Sequence, residues 1–342
     1  MGKSGSRNIR RLRTVNESLI MTKENNKTST IKHEPLIIGV DGNEANVANR
    51  VGANQYAFEL LHALHDLSAS KRHQFVIYLR DNPLPDMSQI VTCWKYKVFG
   101  QKRFWTQVAL PVALLSGRQK PDLFFSPGHY RPRWAAIPTV VSIMDLGYLR
   151  FPDQFTKRDL MQLKAWTSHS IKKASQILAI SEATKKDIME FYEIPETRIT
   201  VTYPGYDKSK FHSRVKVRKS TLEKYGIDMD YALYIGTLKP SKNIEGILEA
   251  YRLLHKDTAG LKLVIAGKKG WLYERIFEKV KELGLQGQVI FTGYVDEEDK
   301  PELIAGACVL ANPSFWEGFG INLVEAMACG TPVVASNVGS IP

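Results

Sequence analysis

Cysteine is scarce. The 342 residues hold three, Cys93, Cys308 and Cys329, far apart and without a CxxC pair or a nearby Cys/His cluster. That excludes a disulfide framework and a structural zinc site, and it fits a reducing compartment. Long apolar runs are missing as well: a spanning helix needs about 18 apolar residues, and the longest candidate, Val108 to Leu115, is interrupted by Pro111. No secretory signal is recognisable. Acidic residues are in deficit, 35 against 47 Lys and Arg, and the net charge of +12 favours an anionic partner. Nucleic acid is not indicated, because neither an aromatic-basic motif nor a recognition-helix pattern occurs. Metal ligands are poorly represented too. Asp228-Met229-Asp230 has the DxD form but precedes a strand instead of ending one, so no metal site is expected.

What is present is globular: 44% hydrophobic, 24% charged and 10% aromatic residues, in a chain long enough for two domains at roughly 150 residues each. The charge is uneven. Residues 1–34 carry eight Lys and Arg against Glu17, Glu24 and Glu34, with no apolar periodicity. They read as a disordered basic extension, with Met21 an alternative start. MGKSGS fits a myristoylation pattern only weakly, and Gly2-Lys3-Ser4 is no phosphate loop, because neither strand nor glycine precedes it.

From Pro35 onward, short β-rich apolar runs alternate with amphipathic helices, which predicts α/β architecture with parallel sheets covered on both faces. Strands are expected at 36–41, 74–79, 95–99, 122–128, 139–145, 176–181 and 199–205, then again at 231–237, 262–267, 288–293, 308–314 and 332–337. The charged stretch 206–230 separates the two series and reads as a linker with a short helix. The domains are therefore 35–206 and 207–342, facing each other across a cleft. Several strands end in Gly, Ser or Asn, at the carboxyl edge where such sheets bind ligands.

The most informative stretch is PSFWEGFGINLVEAMACGTPVVAS, Pro313 to Ser336. Gly318 and Gly320 allow close backbone approach to a ligand, a helix should start near Gly320 or Ile321, and Glu325 falls about one turn into it. On these residues alone, a sugar-phosphate site and an ordinary glycine turn before an Ala-rich helix remain equally good readings.

This stretch resembles the family 4 retaining glycosyltransferases of GT-B fold, which carry the arrangement EGFG-x4-E followed by EAMACGTPVV. The resemblance extends through LYIGTLKPSKNIEGILEAY, LVIAGKKGW and VIFTGYV in the second half, and through VVSIMDLGYLRFPDQF and ILAISEATKKDI in the first. It implies two facing Rossmann-like domains and transfer of a sugar from a nucleotide diphosphate without a metal. Lys242 then neutralises the leaving diphosphate, Glu317 contacts the donor sugar, and Glu325 holds the ribose. Gly318, Phe319 and Gly320 give backbone N–H groups to sugar and phosphate, and Tyr294 or Val295 receives the base. On the acceptor side, Gly52 matches part of a glycine loop that opens a helix. Two departures stand out. Met144-Asp145 replaces a His-Asp pair while keeping Asp145: the favoured reading is that the histidine is dispensable for this substrate, the others that His129 supplies the imidazole or that catalysis is impaired. Thr237 stands where an arginine is common, with Lys239 or Lys268 as replacement cations.

The resemblance implies a retaining transferase that extends a cell-surface glycan or lipid-linked oligosaccharide. It is expected in the cytoplasm or peripherally on the inner face of a membrane, with GDP-mannose as the favoured donor. Basic amphipathic stretches at 102–115 and 156–173 suit either contact with an anionic membrane or ordinary solvated helix faces. Glucosyl transfer of the sucrose or starch synthase type is the second reading within the enzyme class, and a catalytically silent nucleotide-sugar-binding scaffold is the reading outside it. Members of the family continue past SNVGSIP, so the second domain is expected to be incomplete at Pro342.

Overall fold

The computed structural model describes residues 34–67, 72–99, 104–116, 120–254 and 260–342. The expected basic extension lies outside them apart from Glu34, as do Lys102 and Arg103 of the first basic stretch.

Two parallel sheets are formed. The first has seven strands: β1 (Ile37–Asp41), β2 (Gln74–Leu79), β3 (Trp94–Val98), β4 (Leu123–Ser126), β5 (Thr139–Ile143), β6 (Gln176–Ala179) and β7 (Ile199–Val201), in the order β3-β2-β1-β4-β5-β6-β7. The second has five: β8 (Tyr231–Ile235), β9 (Lys262–Ala266), β10 (Val289–Gly293), β11 (Val309–Asn312) and β12 (Val333–Ala335), in the order β10-β9-β8-β11-β12. In both, the order reverses beside the first strand of the sheet. The crevice outside the carboxyl ends of β1/β4 and of β8/β11 is thus where ligands are expected.

Period-two packing explains the second sheet. Tyr231 and Leu233 of β8, with Val264 and Ala266 of β9, face one core. Tyr234, Leu263 and Ile265 face the other. Helices cover both sides: α1 (Ala53–Asp66) and α4 (Lys157–Lys173) belong to the first domain, α7 (Ile244–Leu254) and α8 (Glu274–Glu282) to the second. The intervening helices are α2 (Leu110–Ser116), α3 (Gly147–Arg150), α5 (Glu182–Tyr192), α6 (Lys219–Lys224), α9 (Lys300–Ala305) and α10 (Ile321–Cys329). The stretch 206–230 is more than a tether, because its Phe211 and Ile227 are buried in the second core.

Pro111 does not break its helix. A π-helical turn, Trp105–Ala109, runs directly into α2. In i→i+5 pairing, the partner of the Thr106 carbonyl would be residue 111, which has no N–H. That carbonyl instead accepts from the Arg133 backbone N–H at 3.2 Å.

Aromatic contacts join the domains. Trp271 Nε1 donates to the Gln154 carbonyl at 2.8 Å, and its ring lies 5.4 Å from that of Phe155. Phe151 meets Phe315, and Arg150 lies over the Trp316 ring at 4.6 Å.

Candidate functional site

Adjacent strands build the donor side. β8 leads into the Pro240–Lys242 turn, which ends at Asn243 in the left-handed region, φ 51°, a conformation asparagine tolerates. Asn243 Nδ2 donates to the Pro313 carbonyl at 3.2 Å and the Phe315 N–H donates to the Ser241 carbonyl, so the turn is tied to the loop that follows β11. This brings Lys242 and Glu317 together: Nζ lies 2.5 Å from Oε1. Ser314 Oγ lies 2.7 Å from the same Oε1 and 2.6 Å from Asn312 Oδ1, so its single proton serves one acceptor or the other. Burial by itself would push the Glu317 carboxyl up, but the Lys242 charge and hydrogen bond, with Ser314, hold it below the ordinary range.

Gly320 precedes α10 at φ 85°, a conformation that favours glycine. Asn322 Nδ2 donates to the Ile235 carbonyl at 2.7 Å and fixes this helix to the end of β8. The N-terminus of the helix therefore lies at the carboxyl end of β8. Glu325 is buried on α10 and pairs with Lys300 of α9, at 3.0 Å through Oε1 and 2.8 Å through Oε2. Burial raises its carboxyl above the ordinary range despite Lys300, and Glu59 of α1 across the cleft adds to the rise.

The first domain closes on this loop. A β-carbon at Gly318 would stand 2.1 Å from the Met144 carbonyl oxygen and 2.9 Å from Asp145 Cβ. Asp145 accepts from the Gly147 N–H at 2.9 Å, so its carboxylate is fixed beside Gly318. His129 is within the field of Asp145, but burial pushes its imidazole below the usual value, and its Nδ1 has no hydrogen-bond partner among the described residues. The Phe319 ring packs 6.1 Å from Tyr203 of the first domain. Gly52 precedes α1 with φ 52°, and nothing lies within 4 Å of where its β-carbon would be.

The remaining expected site residues lie around this centre. The side chain of Val295 is buried in the second core, so a base would meet its main chain, as the resemblance implies. The Thr237 carbonyl accepts from Tyr234 Oη at 3.2 Å, and the Lys268 carbonyl accepts from the Leu238 N–H. Lys239 is the better-placed second cation. Its amine lies over the Trp271 ring, 4.8 Å from the centroid, and burial together with Lys242 lowers its pKa, while Asp145 and Glu317 oppose the shift. Among the described residues, no three His, Cys, Asp or Glu side chains gather as a metal site. A cavity of about 610 Å³ opens nearby between Arg150, Asp187, Trp316 and Gly339, but Lys242, Glu317 and Glu325 do not line it.

Sequence reasoning missed Lys300, Ser314 and Asn312, which contact the two glutamates. Glu44 was missed too: Asn54 Nδ2 holds it at 2.6 Å beside Gly128, and burial, with Asp41 nearby, raises its carboxyl. The only signal for Ser314 is its place three residues before Glu317; a lysine 25 residues from its partner gives none.

Comparison with known proteins identifies the fold and the family. The chain is 33% identical over 225 residues to O-antigen chain mannosyltransferase B of Escherichia coli, covering 65% of this chain and 59% of that protein. It is 30% identical over 177 residues to the serotype-specific mannosyltransferase WbdA of Escherichia coli, covering 50% and 22%. The chain thus spans less than two thirds of these relatives. Among solved structures, sucrose-phosphate synthase of Thermosynechococcus elongatus matches with a TM-score of 0.69, and Anabaena HepE in complex with UDP and glucose with 0.64. Each match is at 18% identity and covers 90% of this chain and 82% of that one, so the fold is GT-B. Residues 218–342 match the family of glycosyl transferases group 1 and residues 51–210 match Glycosyltransferase Family 4, and by these two matches the chain belongs to the family 4, group 1 glycosyltransferases.

Proposed function

We propose that the chain transfers a hexose, with retention of anomeric configuration, from a nucleotide-diphosphate sugar to a glycan or lipid-linked acceptor in cell-surface polysaccharide synthesis. GDP-mannose is the favoured donor, in keeping with the mannosyltransferase relatives. The observation that carries the reading is the pair of buried Lys–Glu contacts, Lys242–Glu317 and Lys300–Glu325, on either side of a glycine loop at a helix N-terminus. Lys242, Lys239 and the N–H groups of α10 meet the leaving diphosphate. Fixed cations and dipoles of this kind stabilise the charge that develops as the glycosidic bond breaks, a role a metal plays elsewhere, and we propose no metal here. Glu317 faces the donor sugar, Glu325 the ribose, and Asp145 lies opposite. Closure of Gly318 onto Met144 excludes water from the reacting bond. We place the protein in the cytoplasm, peripherally at the inner face of a membrane.

A second reading, a silent nucleotide-sugar-binding scaffold, is favoured by Met144 and Thr237, which stand where the family resemblance leads to an expectation of His and Arg. Calorimetry with GDP-mannose, UDP-glucose and dTDP-rhamnose, followed by donor-hydrolysis and transfer assays with and without a chelator, separates the readings. Binding without turnover supports the scaffold, preference for UDP-glucose supports glucosyl transfer, and loss of turnover in chelator refutes metal independence.

A further inference from the structure

Trp316 stands immediately before Glu317, yet its ring rests on the first domain. A β-carbon at Gly147 would lie 3.1 Å from the indole Cδ1, and the Arg150 guanidinium lies 4.6 Å from the ring centroid. Both residues belong to α3. Part of the indole is unpacked, because it lines the cavity of about 610 Å³. A ring beside open space lacks the dense packing that fixes core side chains, so its position depends on the contacts it does make.

Arg150 is in turn held by α5. Nε donates to Asp187 Oδ1 at 3.0 Å, and Nη2 donates to the same oxygen at 2.5 Å and to Glu190 Oε2 at 2.9 Å. The Phe191 ring lies 5.1 Å from its Cζ. The Asp187 side chain is 1% exposed, and its Oδ2 has no hydrogen-bond partner among the described residues. Burying a carboxylate to hold a cation gives little net stability, because desolvation offsets the attraction. What the arrangement gives is orientation: two acids one helical turn apart set the plane in which the guanidinium meets the Trp316 ring.

We propose that Arg150 is a positioning residue for the transfer reaction, fixing the main chain at Glu317 against the first domain through its stack on Trp316. Within the second domain, Lys242 and Ser314 orient the Glu317 side chain, and Ser340 donates to the Glu317 carbonyl. Trp316 ties the adjoining main chain to the other domain, so the acid is set by both. A displacement of about 1 Å at such a residue is enough to slow a well-oriented step by up to about a hundredfold. This role rests on the proposed placement of Glu317 at the donor sugar; the seam itself rests on the contacts of Trp316 and Arg150.

The test compares the full chain with Arg150→Lys, Trp316→Leu and the two combined, by donor hydrolysis with GDP-mannose, UDP-glucose and dTDP-rhamnose, by thermal melts, and by small-angle scattering with GDP bound. Arg150→Lys keeps a cation for Asp187 but loses the planar stack, so the melting temperature should stay close to the parent's. Its kcat should fall by about tenfold while KM for the donor changes by less than about twofold. Trp316→Leu should behave alike, and the combined variant should be no slower than Trp316→Leu alone, because Arg150 acts through that ring. The radius of gyration should rise in all three. If Arg150→Lys does not fold, Arg150→Met/Asp187→Asn, which removes the cation together with its buried acid, decides. Full kcat in the single variants, losses that multiply in the combined one, or an unchanged radius of gyration overturns the proposal. Absence of turnover of any donor by the parent would sink the transferase reading, while scattering, which needs no turnover, still judges the seam.

Discussion

Lys242 Nζ lies 2.5 Å from Glu317 Oε1, so the cation suited to a diphosphate and the acid suited to the sugar hold each other across neighbouring strands. A donor must divide this pair between its phosphate and its sugar. Removing Lys242 by Lys242→Ala should lower the transfer rate by roughly tenfold to a few hundredfold, because a charge-assisted hydrogen bond contributes about 1.5 to 3 kcal/mol. Glu317→Gln should also lower transfer, yet it frees Lys242, and the affinity for a nucleoside diphosphate without sugar should rise several-fold. Calorimetry on the two variants tests this, and weaker diphosphate binding by Glu317→Gln would refute the competition.

Glu325 and Lys300 form a buried pair of the kind that is costly to break. Glu325→Ala leaves the lysine charge uncompensated and should destabilise the fold by about 3 to 5 kcal/mol, whereas the double variant Glu325→Leu/Lys300→Met should recover most of that loss. Thermal melts measure both. Donor affinity should fall in each if Glu325 holds the ribose as proposed, because that contact is lost regardless of stability.

Gly318 has no room for a β-carbon against Met144. Gly318→Ala should hold the domains apart, raise the radius of gyration in small-angle scattering, and lower kcat more than it raises KM. Unchanged scattering with full activity would show that the contact is dispensable.

Lys239 gives a pH prediction. Burial and Lys242 depress its pKa, so the amine loses its proton below the ordinary lysine range in the unliganded protein. A bound diphosphate raises that pKa again, and binding then takes up a proton. Affinity for a nucleoside diphosphate should therefore be greatest below the lowered pKa and fall as pH rises through it. Lys239→Gln should weaken binding near neutral pH and flatten that alkaline fall; titrations over this range decide it.

Legibility differed sharply between strands and contacts. Twelve strands were expected and twelve form among the described residues, because runs such as QFVIYL and KLVIA carry β-branched residues bounded by turn residues; most of the expected ends were trimmed to loops, as at 122–128, where the strand keeps only Leu123–Ser126. The EGFG loop and Lys242 were also visible, since spacing along the chain fixes them. The burial of Glu325 against Lys300 was not, because no local pattern links α9 to α10. Val108 to Leu115 read as an apolar run broken by proline, and the outward direction of half of it was invisible.

The sequence by itself determined two parallel α/β domains, the family, and the residues proposed to meet a diphosphate and a sugar, because periodicity and motif spacing are properties of the chain. Tertiary structure alone decided that Lys242 is held by Glu317, that Gly318 seats on Met144, and that Val108, Val112 and Leu115 are exposed. Each depends on which elements pack against which, and pairing between distant segments is written in no local pattern.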